Sequence, residues 1–138
     1  MRRTFHRLLS RRLSGRTRRP VQHLLALKHI AFKGACTQAK LAESLVVDAP
    51  AVSRLVDRLE DEGLVKRCEG EDRRSVRLQA TEAAMAEVEL LEEQVRALDR
   101  EAARHLTATE VREMRRLLEK LHTGLLQDQA SAERSAAE

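Results

Sequence analysis

The feature that most constrains this chain is a pair of amphipathic segments between residues 37 and 62. The segment TQAKLAESL has apolar residues at helical spacing, and Thr37 can cap it. A second helical period runs from about Ala49 to Glu62 and stops at the following glycine. We predict Ala49 as its N-cap because proline disfavours a helical preceding residue, with Asp48 near the positive helix end. These segments predict two short helices joined by a tight turn.

A hairpin is predicted directly after the second of these helices. The runs LVKRC and SVRLQ are short and β-compatible, and EGEDRR between them supplies glycine and charge for a turn. Helical periods flank this unit on both sides. They predict a helix from about Arg3 to Arg18, one from Pro20 to Gly34, a long one after Thr81, and one from a capping box at Thr107 and Glu110 to Gln127. The predicted fold class is mainly α with a small β-hairpin wing: a winged helix-turn-helix with flanking helices.

Composition favours the same architecture. Phe5 and Phe32 are the only aromatic residues, so a core has to be built from Leu, Val and Ala, which suits packed helices. No run approaches the roughly 20 apolar residues that span a bilayer, and no secretory signal is recognisable. We therefore expect a cytoplasmic protein with no membrane partner. Two cysteines without metal-ligand spacing lead us to expect no metal and no cofactor.

Charge is distributed unevenly along the chain. Residues 1–42 contain eleven Lys and Arg and no carboxylate, whereas the other residues contain fifteen Lys and Arg and twenty-two Asp and Glu. A basic segment of this kind suits a polyanion such as double-stranded DNA. It equally suits a solvated helix whose arginines pair with acidic helices. Charge alone leaves both interpretations open.

The helix beginning near residue 49 has two different faces. Val52, Leu55, Val56 and Leu59 fall on one side, where they can be buried. The other side is small and polar at its start, which a helix needs in order to enter a major groove and contact base edges. An ordinary surface helix with ion pairs fits too, but the preceding TQAKLAESL helix favours DNA reading. The predicted DNA-contacting residues of these two helices are Thr37 and Gln38 at the start of the first, and Pro50, Ala51, Ser53, Arg54, Asp57 and Arg58 in the second.

Individual roles follow from the side chains. Arg54 can bond bidentately to guanine, which is worth about 1–3 kcal/mol of discrimination. Asp57 can accept from a cytosine amino group or hold Arg54 or Arg58 in place. At the hairpin tip, Arg73 and Arg74 can enter a narrow minor groove, and Asp72 can orient one of them. A charged loop is usually only solvated, but its position after a helix-turn-helix indicates a wing.

From Gln22 to about Glu87 the chain resembles the multiple-antibiotic-resistance regulator (MarR) family of bacterial winged-helix repressors. The matching segments are TQAKLAESL, VSRLVDRLEDEGLVKR and the D-x-R motif at Asp72–Arg74. The resemblance implies an obligate dimer whose interface comes from the first and last helices. It also implies that the helix Pro50–Glu62 reads the major groove and that Arg74 reaches the minor groove.

Several positions depart from the usual family pattern. Val46 stands where a glycine commonly begins the turn, and Pro50–Ala51 replace a typical pair of hydroxyl residues. Ala80 and Ala84 replace a usual Leu and Gly at the start of the long helix. The lost hydroxyls remove phosphate or base contacts, so the operator sequence does not carry over from the family.

Apolar residues in the first helix and in residues 107–127 exceed what one small domain needs, so we predict a homodimer. An intramolecular core is the other use for these stripes, but a winged helix already has its own. The predicted organisation is a basic dimerisation helix in 1–19, a winged helix-turn-helix DNA-binding domain in 20–81, a long helix and C-terminal dimerisation helix in 82–127, and a flexible tail in 128–138.

Regulation is the least constrained part of the prediction. Family relatives release DNA when a small, often phenolic acid binds, and Arg7, His23 and His29 are candidates to hold such an anion, although packing roles suit the histidines better. Some relatives sense oxidants through a cysteine. Cys68, beside Lys66 and Arg67, is the better redox candidate because cations lower a thiol pKa, although a small packed side chain is the more common role for cysteine.

The leading functional hypothesis is a dimeric repressor that binds a palindromic operator and is released by a small ligand or oxidant. The alternative is a winged-helix protein-interaction module that has lost operator recognition. The acidic residues Glu60, Asp61 and Glu62 and the Pro50–Ala51 pair favour that alternative, and the arginines at 54, 58, 73 and 74 oppose it. An enzyme is not expected, since the sequence contains no nucleophile triad, phosphate loop or metal-ligand cluster.

Overall fold

A computed structural model describes residues 2–33, 36–70 and 76–136. These residues form six helices and one antiparallel hairpin, which confirms the predicted fold class. In chain order the elements are α1 (Arg2–Leu13), α2 (Val21–Lys33), α3 (Gln38–Leu45), α4 (Ala49–Asp61), β1 (Val65–Glu69), β2 (Val76–Ala80), α5 (Glu82–Ala103) and α6 (Ala108–Ala136). The chain divides into two compact units, Met1–Leu98 and Asp99–Glu138. The predicted division at residues 19, 81 and 127 stays a prediction.

The first unit contains two apolar clusters. One joins α2, α3, α4, the hairpin and the start of α5 around Leu27, Leu41, Val56, Leu59 and Leu78, all fully or almost fully buried. The other joins α1, α2 and α5 through leucines and a valine: Leu9, Leu13, Val21, Leu24, Leu91 and Leu98. Full burial of each such side chain contributes roughly 1.5–3 kcal/mol, so Leu and Val do supply the core in place of aromatic rings.

The hairpin is tied to the helical core by a third short segment. Strands β1 and β2 pair antiparallel with Val65 opposite Ala80 and Glu69 opposite Val76. Cys36 then bridges Leu78 from the other side, because its N–H donates to the Leu78 carbonyl at 3.2 Å and its carbonyl accepts from Leu78 N–H at 2.6 Å. Strand β2 is therefore hydrogen-bonded on both of its edges, to β1 and to Cys36.

The helix ends differ from the predictions in three places. Helix α1 ends at Leu13 rather than near Arg18, because Gly15 takes a φ of +87°. The N-cap of α4 is Asp48 rather than Ala49: its Oδ1 accepts from Ala51 N at 2.7 Å, whereas alanine has no acceptor. Helix α6 continues to Ala136 rather than ending near Gln127. The predicted end of α2 at Gly34 lies outside the described residues.

The second unit consists of the end of α5 and helix α6. The capping box that starts α6 is confirmed: Thr107 N donates to Glu110 Oε2 at 2.7 Å, and Glu110 N donates to Thr107 Oγ1 at 3.3 Å. Beyond this cap Val111 is half-buried, whereas the larger apolar side chains of α6 are exposed in the chain, among them Leu118, Leu121 and Leu125. Within the three described ranges, no helix has the length and apolarity needed to cross a membrane.

Candidate nucleic-acid interface

The turn between α3 and α4 sets the direction of α4. Helix α3 begins as predicted at an N-cap threonine, since Thr37 Oγ1 accepts from Lys40 N at 3.3 Å. It ends at Val46, which has φ 55° and ψ 51°, a left-handed conformation that favours glycine. Val47 N then donates to the Ala42 carbonyl at 3.1 Å, and Asp48 caps α4. Only three residues separate α3 from α4, a turn as short as a helix-turn-helix requires.

Helix α4 has the two faces that its sequence predicts. Val52, Leu55, Val56 and Leu59 are buried against the unit's own core. On the other side Pro50, Arg54, Asp57 and Arg58 are exposed, whereas Ala51 and Ser53 are half-buried. The two candidates on α3, Thr37 and Gln38, are half-buried at its N-terminus. The arrangement thus brings the candidate residues of α4 to one surface, on which Arg54 is exposed.

Asp57 is not held by Arg54 or Arg58; its partner is Arg67, on strand β1. Arg67 Nη2 donates to Asp57 Oδ1 at 2.5 Å, and Arg67 Nη1 pairs with the carboxylate of Glu60. Arg67 N also donates to Glu60 Oε1 at 3.4 Å. The hydrogen bond to Asp57, together with the charge of Glu60, raises the pKa of Arg67 above its ordinary value. This residue was missed as part of the site, although two carboxylates three positions apart on α4 signal a shared cation.

The C-terminal end of α4 contacts a second arginine that lies outside the helix. Arg19, just before α2, pairs with Glu62 and donates from Nε to Glu87 Oε1 at 3.0 Å. Arg58 lies 3.9 Å from Glu62 through its Nε. Arg19, Arg58 and Glu62 line a cavity of about 570 Å³, and His23 lines it as well. Burial, and after it the charges of Arg58 and Arg19, lowers the pKa of the His23 imidazole below 6.5. Glu62, at the acidic end of α4, therefore has one cation from outside the helix, Arg19, and one from α4 itself, Arg58.

The wing is described only up to its tip. The strands bring Glu69 and Val76 together as their last pair. Asp72, Arg73 and Arg74 lie outside the described residues, so their roles stay predictions.

The two cysteines have different surroundings. Cys36 is buried, and its Sγ lies 3.3 Å from the Thr37 carbonyl. Cys68 is half-buried and its Sγ lies 3.4 Å from Gln79 Oε1. Alternate residues of a strand point to opposite faces, so Arg67, which is turned to α4, is not on the face of Cys68. Lys66 is on that face, and Arg77 is the register partner of Cys68. The redox role of Cys68 stays a prediction: Arg67 lies on the opposite face of the strand, whereas Lys66 and Arg77 lie on the face of Cys68.

The candidate effector residues do not converge on one cavity. His23 lines the cavity at the end of α4, and His29 Nε2 lies 3.2 Å from Ser44 Oγ. Arg7 lies exposed on α1. A separate cavity of about 680 Å³ lies between α1, α2 and the α3–α4 turn, and its lining includes Arg3, Phe5, His6, Lys28 and Val46. In the part of the chain that the structure describes, no cluster of three or more His, Cys, Asp or Glu residues could hold a metal ion.

Comparison with known proteins agrees with this geometry. Residues 21–76 match the model of the MarR family. The apo form of wild-type MarR from E. coli has a TM-score of 0.75 and 31% identity, covering 87% of this chain and 90% of that one. A mutant MarR from E. coli complexed with operator DNA has a TM-score of 0.71 and 31% identity, covering 87% and 86%. MepR, a transcription regulator of the Staphylococcus aureus multidrug efflux pump MepA, shares the fold at 19% identity and a TM-score of 0.67, covering 89% and 91%.

The resemblance predicted from the sequence is confirmed by these matches. The family model covers the helix-turn-helix and β1, and the E. coli structures extend the similarity to most of the chain at 31% identity. The chain belongs to the MarR family of winged-helix transcription regulators.

Proposed function

We propose that this protein is a dimeric repressor of the bacterial cytoplasm that binds a palindromic DNA operator through α4. The observation that carries the proposal is the division of α4: its apolar face is buried by the chain itself, while Arg54 stands exposed on the opposite face. A helix that is buried on one side and presents an exposed arginine on the other has its polar side available for a partner such as DNA.

The N-terminal half of α4 suits the floor of a major groove. Pro50 and Ala51 are small enough for close approach, and Ser53 and Arg54 supply donors to a phosphate and a guanine edge. Thr37 and Gln38 lie at the N-terminus of α3, where backbone N–H groups favour a phosphate. Arg58 extends the cationic surface along α4. Arg73 and Arg74, oriented by Asp72, reach the adjacent minor groove in this proposal.

The dimer is supported by exposed apolar surface at both ends of the chain. Phe5 and Leu8 on α1 are about 40% exposed, and Leu121 and Leu125 on α6 are 64% and 68% exposed. Such a stripe is stabilised when a second copy covers it. A two-fold dimer places its two α4 helices about 34 Å apart, one DNA turn, which makes the operator palindromic.

Release from DNA is proposed to follow binding of a small organic anion, such as a phenolic acid. The cavity between α1, α2 and the α3–α4 turn supports this, because it combines apolar lining with the cations of Arg3 and Lys28, although the Lys28 ammonium also pairs with Glu92 at 2.5 Å. It also touches Val46, so a ligand there contacts the turn that directs α4. Oxidation of Cys68 is the other proposed route of release.

The protein-interaction module is not favoured. Its support came from the acidic residues of α4, and two of these, Glu60 and Glu62, are paired with Arg67 and Arg19. Of the four arginines that oppose it, Arg54 and Arg58 are exposed, and Arg73 and Arg74 lie outside the described residues.

DNA binding tests the proposal. An operator is first selected from a random duplex library with the full chain, and affinity is then measured by fluorescence anisotropy at several salt concentrations. We expect sequence-selective binding that weakens steeply with salt, and Arg54→Ala to weaken operator binding about 10- to 100-fold. Arg96→Ala, which removes an exposed arginine of α5, is the matched control and is expected to bind nearly as the wild type. Failure to enrich any sequence, or equal binding by Arg54→Ala, would contradict the proposal.

A further inference from the structure

The charge of α4 is unfavourable for a helix that approaches DNA. From its start to its C-cap, Glu62, it contains the four carboxylates of Asp57, Glu60, Asp61 and Glu62 but only two arginines, Arg54 and Arg58. Double-stranded DNA carries one negative charge per roughly 1.7 Å of its axis, so uncompensated carboxylates on this helix would oppose binding. A DNA-reading role therefore needs cations from outside α4.

Arg67 supplies such a cation to two of the carboxylates at once. Its Nη2 lies 2.5 Å from Asp57 Oδ1, and its Nη1 pairs with Glu60, one turn further along α4. The side chain of Arg67 is 27% exposed, less than the side chains of Asp57 at 57% and Glu60 at 38%. The cation thus lies on the inner side of the acidic pair, between α4 and the wing strand.

The backbone holds Arg67 in this place. Its register partner in β2 is Leu78, whose side chain is fully buried and whose backbone is hydrogen-bonded to Cys36. Arg67 N–H also donates to Glu60 Oε1 at 3.4 Å. A guanidinium presents its donors in a rigid fork, so an arginine anchored this way can hold two carboxylates with little further loss of freedom.

We propose that Arg67 is a positioning residue for DNA binding: it holds the carboxylates of Asp57 and Glu60 against the wing strand, and its single positive charge offsets one of their two negative charges, so that less negative charge opposes DNA beside Arg54. This inference rests on the proposed function. It assigns Arg67 an action through Asp57 and Glu60 rather than through a contact of its own with a phosphate.

Charge masking has a signature that the other roles of an arginine lack. Ion pairs near the surface contribute little to folding, so loss of Arg67 is expected to change thermal stability only slightly. Its loss adds one net negative charge near the phosphates and frees both carboxylates from the wing strand, which weakens binding to any duplex and most strongly at low salt. Removing those carboxylates as well should restore the binding.

The experiment compares four full-length proteins: the wild type, Arg67→Gln, the triple variant Arg67→Gln with Asp57→Asn and Glu60→Gln, and the control Arg96→Gln. Affinity for a random-sequence duplex and for the selected operator is measured from low to high salt. The random duplex removes base contacts from the comparison. Thermal unfolding is recorded for each protein.

We expect Arg67→Gln to bind the random duplex about tenfold more weakly than the wild type at low salt, with the difference shrinking as salt rises. The triple variant is expected to return to within about threefold of the wild type, and Arg96→Gln to stay there throughout. Midpoints of unfolding should agree within about 4 °C.

Other outcomes overturn the inference. If the triple variant binds as weakly as Arg67→Gln, Arg67 touches DNA directly; if Arg67→Gln binds normally, no masking is needed. If Arg67→Gln unfolds far below the wild type and the triple variant does not regain binding, the role of Arg67 is structural. In each of these cases a wild type that still selects an operator leaves the proposed function intact. A wild type that binds no DNA overturns both.

Discussion

Helices α4 and α6 are both amphipathic, yet they place their apolar faces in opposite environments. In α4 the apolar residues Val52, Val56 and Leu59 are fully buried within their own unit. In α6 the corresponding residues are open to solvent in the single chain, with Leu121 at 64% and Leu125 at 68% exposure. The same sequence pattern therefore has two uses in one molecule.

The difference indicates what kind of partner each helix suits. Since α4 has satisfied its apolar face internally, its remaining surface is polar and cationic at Arg54, which suits nucleic acid. Helix α6 still has an unburied apolar face, which suits another apolar surface, and a second copy of the chain offers the same one. One helix contributes to folding of the monomer; the other is expected to contribute mainly to association.

The largest expected effect is on folding and comes from α4. Leu59→Ala is expected to lower the free energy of unfolding by about 2–5 kcal/mol, because the removed carbons are fully buried and leave a cavity. Urea unfolding followed by circular dichroism measures this. Asp61→Ala, two positions along on the exposed side, should change the value by no more than about 0.5 kcal/mol. Equal effects of the two substitutions would mean that α4 does not bury its apolar face.

An intermediate effect, on association rather than folding, is expected from α6. Leu121→Lys should weaken self-association at least tenfold, or about 1.4 kcal/mol, because it places an ammonium in an apolar interface. Sedimentation velocity over a range of protein concentrations measures the dissociation constant. Thr123→Lys, which adds the same charge on the opposite side of the helix, is the matched control and should leave the dimer intact. A monomeric wild type, or equal dissociation of both variants, would contradict the comparison.

Most of the fold was predicted from short-range patterns in the sequence. The helical period at Val52, Leu55, Val56 and Leu59 predicted the buried side of α4, and the Thr107 capping box predicted the start of α6; both depend on neighbours within one or two turns. The hairpin was predicted because two β-compatible runs flank a turn signal. Each of these features is set by contacts that are close along the chain.

Features that depend on distant partners were not predicted. The pairing of Asp57 with Arg67 joins a helix to a strand, and sequence spacing on α4 alone suggested Arg54 or Arg58 instead. The N-cap at Asp48 was assigned one residue late, because the rule for residues before proline was given more weight than the side-chain acceptor that a cap needs. In both cases a specific hydrogen-bond acceptor decided the structure.

The smallest expected effect concerns the turn that directs α4. Val46 was noted in the sequence as standing where glycine is usual, and it does adopt a left-handed φ of 55° while its side chain is 75% exposed. A β-branched residue in the left-handed region destabilises the fold by about 1–2 kcal/mol, and an exposed side chain loses little packing when it is removed. The greater freedom of glycine in the unfolded chain offsets part of this gain. Val46→Gly should therefore raise the free energy of unfolding by roughly 0.5–1 kcal/mol.

The matched control for this turn is the next residue. Val47 packs against the core and is not in the left-handed region, so Val47→Gly should lower the free energy of unfolding by roughly 1–3 kcal/mol. Opposite signs at adjacent valines, measured by the same urea titration, would show that backbone conformation rather than side-chain burial sets the preference at position 46. If Val46→Gly is also destabilising, packing of the Val46 side chain holds the left-handed turn. The direction of α4 then depends on the side chains that line the cavity between α1, α2 and the α3–α4 turn, rather than on the backbone preference of residue 46.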